Sequence, residues 1–266
     1  DVIEEYKDVV LNPKHGYGQH LNPCLDCKIF MVNKAAAWAW MEENDFDFII
    51  TGEVIGQRPM SQRKATMPII ARESGADDRL LRPLCAKNLP LTLPEREGWV
   101  DRDRLFGFHG RNRTPQIELA ESLGIEEYSQ PAGGCCFLTD KSYASKLGDL
   151  WQSRGERAYE LDDIMLLKVG RHLRPAPHYK LIISREEGEN HYLTGYQHEH
   201  TTIRTVSHPG PVTIVDGAPG DDDLLFAARI AARYSQGRGG GRVTLSITPP
   251  GKDGREVTVT PLAATE

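Results

Sequence analysis

The residues best equipped for chemistry are five cysteines, at positions 24, 27, 85, 135 and 136. Cys24 and Cys27 stand in Leu21-Asn22-Pro23-Cys24-Leu25-Asp26-Cys27, a Cys-x-x-Cys set behind a proline and ahead of a helix-like run. Zinc sites, iron–sulfur sites and redox dithiols all use this spacing. A structural zinc or a plain thiol pair accounts for it as economically as a cluster does. Structural zinc usually takes a second tight ligand pair, and the adjacent Cys135 and Cys136 supply one poorly because successive side chains diverge. Three cysteines, Cys24, Cys27 and Cys135, would leave one iron of a cluster without a protein ligand, where an exogenous sulfide can bind. Cys85, between Leu84 and Ala86, reads as a small buried apolar residue.

Thr51-Gly52-Glu53-Val54-Ile55-Gly56-Gln57 follows an expected strand end, and ligands of open α/β sheets bind there. Gly52 and Gly56 would let backbone approach a nucleotide, although a generic turn explains them as well. Gly110-Arg111-Asn112-Arg113 sets two arginines ahead of a helix, an arrangement that holds phosphates or simply hydrates. Lys168, Arg171, His172, Arg174, His178 and Lys180 form a local basic cluster suited to a nucleic-acid backbone or to a hydrated strand edge. His15, His20 and His109 are weaker acid–base or ligand candidates.

Elements must position these groups. Residues 1–23 read as a short segment and a glycine-punctuated loop. Helical spacing covers 28–44, a buried strand 45–50, a helix 62–73 interrupted near Pro68, and a short parallel strand 80–84. Helices are expected at 101–106, at 114–123 with Pro115 in its first turn and Gly124 at its end, and at 140–154. Strands are expected at 163–169, 179–184, 201–206 and 212–215, with a helix at 186–196 between them. Residues 221–234 make an amphipathic helix with acidic residues at its N-terminus. Arg238-Gly239-Gly240-Gly241-Arg242 is a turn, and 243–247 pairs with 256–260 as a hairpin. The helix–strand rhythm of the first half points to α/β architecture, and a domain boundary falls at 157/158.

The chain has 266 residues, 39 % hydrophobic and 26 % charged, with a formal net charge of −6. That is a globular composition with room for one large or two ordinary domains. A nucleic-acid partner would need a local basic patch, because the global field is mildly repulsive. No apolar run approaches the roughly 20 residues of a membrane span. The odd cysteine count in a chain of this size speaks against a disulfide scaffold; in the cytoplasmic setting expected for this chain, paired cysteines point to a metal, a cluster or redox chemistry. Asp1-Val2-Ile3, with no initiating Met, reads like the middle of a longer sequence.

Thr51-Gly52-Glu53, Gly56-Gln57, Ser61-Gln62 and Leu81-Arg82-Pro83-Leu84 together resemble the 4-thiouridine synthase type of tRNA sulfurtransferase, a branch of the PP-loop ATP pyrophosphatases. Asn22-Pro23-Cys24 and Pro131-Ala132-Gly133-Gly134-Cys135 are similar to segments of 2-thiouridylase-like relatives. From Leu166-Lys168-Val169-Gly170-Arg171-His172 onward the chain resembles the NFACT-R RNA-binding module. The resemblance implies an adenine nucleotide alpha-hydrolase-like parallel-sheet domain over 1–157, lacking its first strand, and a smaller α+β RNA-binding domain over 158–266. It implies ATP-dependent uridine thiolation: ATP with Mg adenylates a uracil carbonyl oxygen, and a sulfur nucleophile displaces AMP. Cys24, Cys27 and Cys135 would hold a [4Fe-4S] cluster, with zinc as the alternative metal; in the cluster-free branch Cys135 or Cys136 would carry a persulfide. Thr51, Gly52, Glu53, Gly56 and Gln57 would bind the nucleotide, and Arg111, Arg113, Lys168, Arg171 and Arg174 the tRNA. The sulfur donor is expected to be free sulfide or the product of a cysteine desulfurase, and a homodimer is among the assemblies expected. A zinc-stabilised RNA-binding module without catalysis is the competing expectation. The family's Ser-Gly-Gly-x-Asp-Ser phosphate loop is absent, and neither Gly133-Gly134 nor Gly239-Gly240-Gly241 replaces it. That loop lies on a strand and helix that would precede Asp1.

Overall fold

The computed structural model describes residues 2–40, 43–128 and 136–263. It divides into two compact units, Asp1–Lys141 and Ser142–Glu266.

In the first unit α1 (Ile3–Leu11) is followed by α2 (Cys24–Ala39), so the helix expected from residue 28 starts at the first cysteine itself. Asp26 fixes that start by accepting from the backbone N–H of Lys14 (3.0 Å) and of His15 (3.1 Å). Leu25, Val32 and Ala36 of α2 pack on Ile70, Ala76 and Leu80 to make the core. β1 (Ile49–Ile50) pairs in parallel with β2 (Leu80–Leu81), in the register Ile49 to Leu80 and Ile50 to Leu81. α3 (Met67–Glu73) makes the crossover between them, and Pro68 stands in its first turn instead of interrupting it. α4 (Leu93–Arg96) and α5 (Thr114–Ser122) complete the unit. The segment expected as a helix at 101–106 holds only a 3₁₀ turn, Arg102–Arg104. Phe46, Phe48 and Ile50 alternate along the chain into β1; Phe46 stacks on Trp38 at 5.6 Å and Phe48 on Trp99 at 6.3 Å. Trp38, Phe46, Ile50 and Trp99 are all exposed.

The second unit is a six-stranded antiparallel sheet in the order β3-β4-β6-β5-β7-β8. Its strands are β3 (Arg171–Ala176), β4 (Tyr179–Ile183), β5 (Thr201–Thr205), β6 (Val212–Gly217), β7 (Val243–Thr248) and β8 (Arg255–Val259). The amphipathic helix α9 (Asp221–Arg233) buries Ala227, Ala228 and Ala231 against Leu181, Ile203, Val215 and Leu245. Ile182, Val212 and Ile214 point to the opposite face and pack with Leu166 of α7 (Leu161–Leu167) and Leu193 of α8 (Glu187–Thr194). The expected β7–β8 hairpin is present.

Residues 163–169, expected as a strand, belong instead to α7. Their apolar run Ile164–Leu167 fits either element by pattern, and the chain chooses helix because Asp163 accepts from the backbone N–H of Glu160 at 2.7 Å, capping the N-terminus. α6 (Lys141–Arg154) ends before the expected boundary at 157/158, yet it belongs with the second unit. Its Lys146 Nζ donates to the carbonyls of Leu167 and Gly170, each at 3.1 Å. The whole is a mixed α/β protein, with a small parallel pair in one unit and an antiparallel sheet in the other. Among the described residues, no helix is long and apolar enough to cross a membrane.

Candidate functional site

Because β1 and β2 run in parallel, their carboxyl ends open at the same edge, and the residues that follow them meet there. Glu53, after β1, accepts from Arg82 Nε, after β2, at 2.9 Å and from Thr51 Oγ1 at 3.0 Å. Lys28 Nζ of α2 lies 3.7 Å from the other carboxylate oxygen, which is buried and has no hydrogen-bond partner among the described residues. Gly56 turns the following loop at φ +79°, and its N–H donates to the Gln62 carbonyl at 2.7 Å. Gln57 and Gln116 exchange side-chain amide bonds at 2.9 and 3.3 Å, tying that loop to α5.

These elements enclose a cavity of about 750 Å³. Gly52, Glu53 and Gln57 line it, as do Cys24, Cys27 and Cys136. Lys28, Arg58 and Arg113 give its wall positive charge. Cys24 Sγ donates to Ser61 Oγ at 3.5 Å, Cys27 Sγ accepts from Tyr6 OH at 3.2 Å, and Cys136 Sγ donates to Asn22 Oδ1 at 3.7 Å. Burial pushes the Cys27 thiol up, and the neighbouring Cys136 and Cys24 push the same way against Tyr6 and Lys28. Three thiols thus share one cavity with the strand-end residues.

Cys135, expected as both metal ligand and sulfur carrier, lies outside the described residues, as does the Pro131–Gly134 loop before it. Among the described residues no group of three His, Cys, Asp or Glu is arranged to hold a metal ion. The cavity has the size of a small-molecule site, and Lys28, Arg58 and Arg113 give it charge that suits an anionic group. Thr51 and Gly56 support this wall without lining it. Cys85 is fully buried, as its neighbours suggested, and its thiol donates to the Glu53 carbonyl at 3.2 Å. None of the three candidate histidines lines the cavity; His15 Nε2 sits 2.9 Å from Glu73 Oε2, a carboxyl that Lys14 and His15 hold down to about 2. Tyr6, Ser61 and Gln116 were not singled out from the sequence for the roles they have here.

The residues expected to bind RNA fall in both units. Arg113 lines the cavity of the first unit, and Arg111 is exposed in the turn before α5. In the second unit the basic cluster is largely engaged in the fold. Arg174 Nε and Nη2 grip the Asp149 carboxylate of α6 at 2.6 and 2.9 Å, and the buried Lys180 reaches the same carboxylate at 3.0 Å. Burial depresses Lys180, while Asp149, despite its own partial burial, is held low by Arg174 and Lys180. His172 Nε2 faces the carbonyls of Val169 (2.9 Å) and Leu166 (3.1 Å), so it carries the proton, and Nδ1 is buried without a partner among the described residues. Burial, then Lys180 and Lys146, hold His172 down to about 3. His178 pairs with Asp223 at 2.8 Å. Lys168 and Arg171 remain at the surface.

Residues 170–266 match the family described as the NFACT protein RNA binding domain. The match spans β3 to the end of the chain and bears out the RNA-binding module expected in the second half. No curated protein matches the chain. Among solved structures, the C-terminal part of the fibronectin/fibrinogen-binding protein from Streptococcus suis is similar at 15 % identity and a TM-score of 0.31, covering 57 % of this chain and 76 % of that one. A likeness that faint carries no functional argument.

Proposed function

We propose that this chain is a tRNA sulfurtransferase of the PP-loop type that thiolates uridine in the cytoplasm. The first unit would supply the sulfur chemistry and the NFACT-type domain would hold the tRNA. The observation that carries this reading is the convergence of Cys24, Cys27 and Cys136 on the cavity lined by Gly52, Glu53 and Gln57.

Lys28, Arg58 and Arg113 would draw phosphate into that cavity. ATP with Mg, when bound, would supply the adenylyl group that turns a uracil oxygen into a leaving group. The three thiols would present sulfur to the activated carbon. A persulfide on Cys136, its outer sulfur handed over from the persulfide of a cysteine desulfurase, is the route we propose, because Cys136 lines the cavity. Its terminal sulfur would bond to the uracil carbon as AMP departs. The Cys27 thiolate would then attack the Cys136 sulfur, break the S–S bond to the transferred atom and leave a Cys27–Cys136 disulfide, which a dithiol reductant would reopen.

Nucleoside mass spectrometry of tRNA from cells with and without the gene tests this. One thiouridine is expected to disappear with the gene, to return with the intact protein, and to stay absent with Cys136→Ala or Cys27→Ser. An unchanged thiouridine profile would overturn the proposal in favour of a non-catalytic RNA-binding protein.

A further inference from the structure

We propose that Tyr234 and Arg171 form a stacking platform for an unpaired RNA base. The proposal rests on the RNA-binding reading of the second unit and names the residues that would do the binding.

Arg171 opens β3, the edge strand, and Tyr234 follows α9 directly. Their side chains meet with the guanidinium carbon 5.2 Å from the ring centroid. Both ends are anchored: Arg171 is in register with Ile183 of β4, and the Tyr234 N–H donates to the Ala231 carbonyl at 3.0 Å. Tyr234 is still 37 % exposed as a residue. A planar cation laid on an aromatic ring is a surface on which any base can stack, since every base has a π-face. Phosphate-binding charge follows at once in the chain, at the exposed Arg238 and Arg242 of the glycine-rich turn. The other basic side chains of β3 and β4 are committed elsewhere: Arg174 and Lys180 to Asp149, and the neutral His172 to backbone carbonyls. Neither Arg171 nor Arg238 has a carboxylate partner among the described residues, so both charges are open to an anionic ligand. Single-stranded RNA is the partner that uses both features, whereas a duplex hides its base faces.

The test is fluorescence anisotropy of the full chain with a labelled single-stranded oligoribonucleotide across a salt series, with thermal unfolding of each variant as the folding control. Tyr234→Ala is expected to weaken binding roughly tenfold at every salt concentration with the salt slope unchanged, because it removes stacking and not charge. Tyr234→Phe should bind like the native protein, and Arg238→Ala should flatten the slope. Photocrosslinking of an iodouracil-bearing oligonucleotide to the native chain should label Tyr234, a readout that needs no variant to fold. Native-like binding by Tyr234→Ala, or crosslinks only elsewhere, would overturn the platform and leave the RNA-binding reading standing. No binding by the native chain at any salt would overturn both.

Discussion

Arg82 Nε donates to Glu53 Oε2 across 2.9 Å with side chains only 5 % and 4 % exposed, and this pair joins the ends of the two parallel strands beneath the thiol-lined cavity. Removing one partner of a buried pair strands the other charge in the interior. Arg82→Ala is therefore expected to destabilise the first unit by about 3–5 kcal/mol. Urea unfolding followed by tryptophan fluorescence checks this, and a loss under about 1 kcal/mol would show that water reaches Glu53 readily.

His172 makes the second unit sensitive to mild acid. Its folded pKa, about 3, lies below its ordinary value of 6.5, so the unfolded chain binds the extra proton first. Stability from this group is complete above about pH 6.5 and falls as the pH drops toward about 3, at no more than about 1.4 kcal/mol per pH unit. His172→Gln keeps an N–H donor for the Val169 and Leu166 carbonyls and removes the titration. Its unfolding midpoint in urea should vary less between about pH 4.5 and 7 than that of the native protein.

Asp149 separates structural cations from binding ones. Asp149→Ala leaves the buried Lys180 without its carboxylate and is expected to cost about 3 kcal/mol, read by thermal unfolding. Arg174→Ala should lower stability while leaving RNA affinity within about twofold, because its guanidinium is already held by Asp149. A large loss of RNA affinity in a folded Arg174→Ala protein would return that residue to the binding surface.

The cysteines should differ in reactivity. Cys136 is exposed, Cys27 is half-buried with its thiol pushed up, and Cys85 is buried and pushed up by burial. Iodoacetamide labelling of the native chain, followed by peptide mass spectrometry, should modify Cys136 first, Cys27 slowly, and Cys85 only after unfolding.

Much of this was legible in the sequence, for reasons that differ by element. α5 declared itself through Pro115 and Gly124, and α9 through acidic residues at the start of an amphipathic run. α7 did not, because a short unbroken apolar run carries no period, and its capping residue Asp163 was read as part of the run. The strand-end residues Gly52, Glu53 and Gln57 were visible as a site because glycines and a carboxylate follow an apolar strand. Gln116 was invisible, since it acts through a partner 59 positions away. The basic cluster misled in another way. Alternation along β3 and β4 sends successive cations to opposite sides, and Asp149, which holds two of them, sits far upstream on a helix.

The Trp38–Phe46 and Phe48–Trp99 stacks have a practical outcome. Together with Ile50 they set a greasy ribbon beside a strand whose second edge has no neighbour among the described residues. Such a surface attracts its like, so self-association that grows with protein concentration is expected.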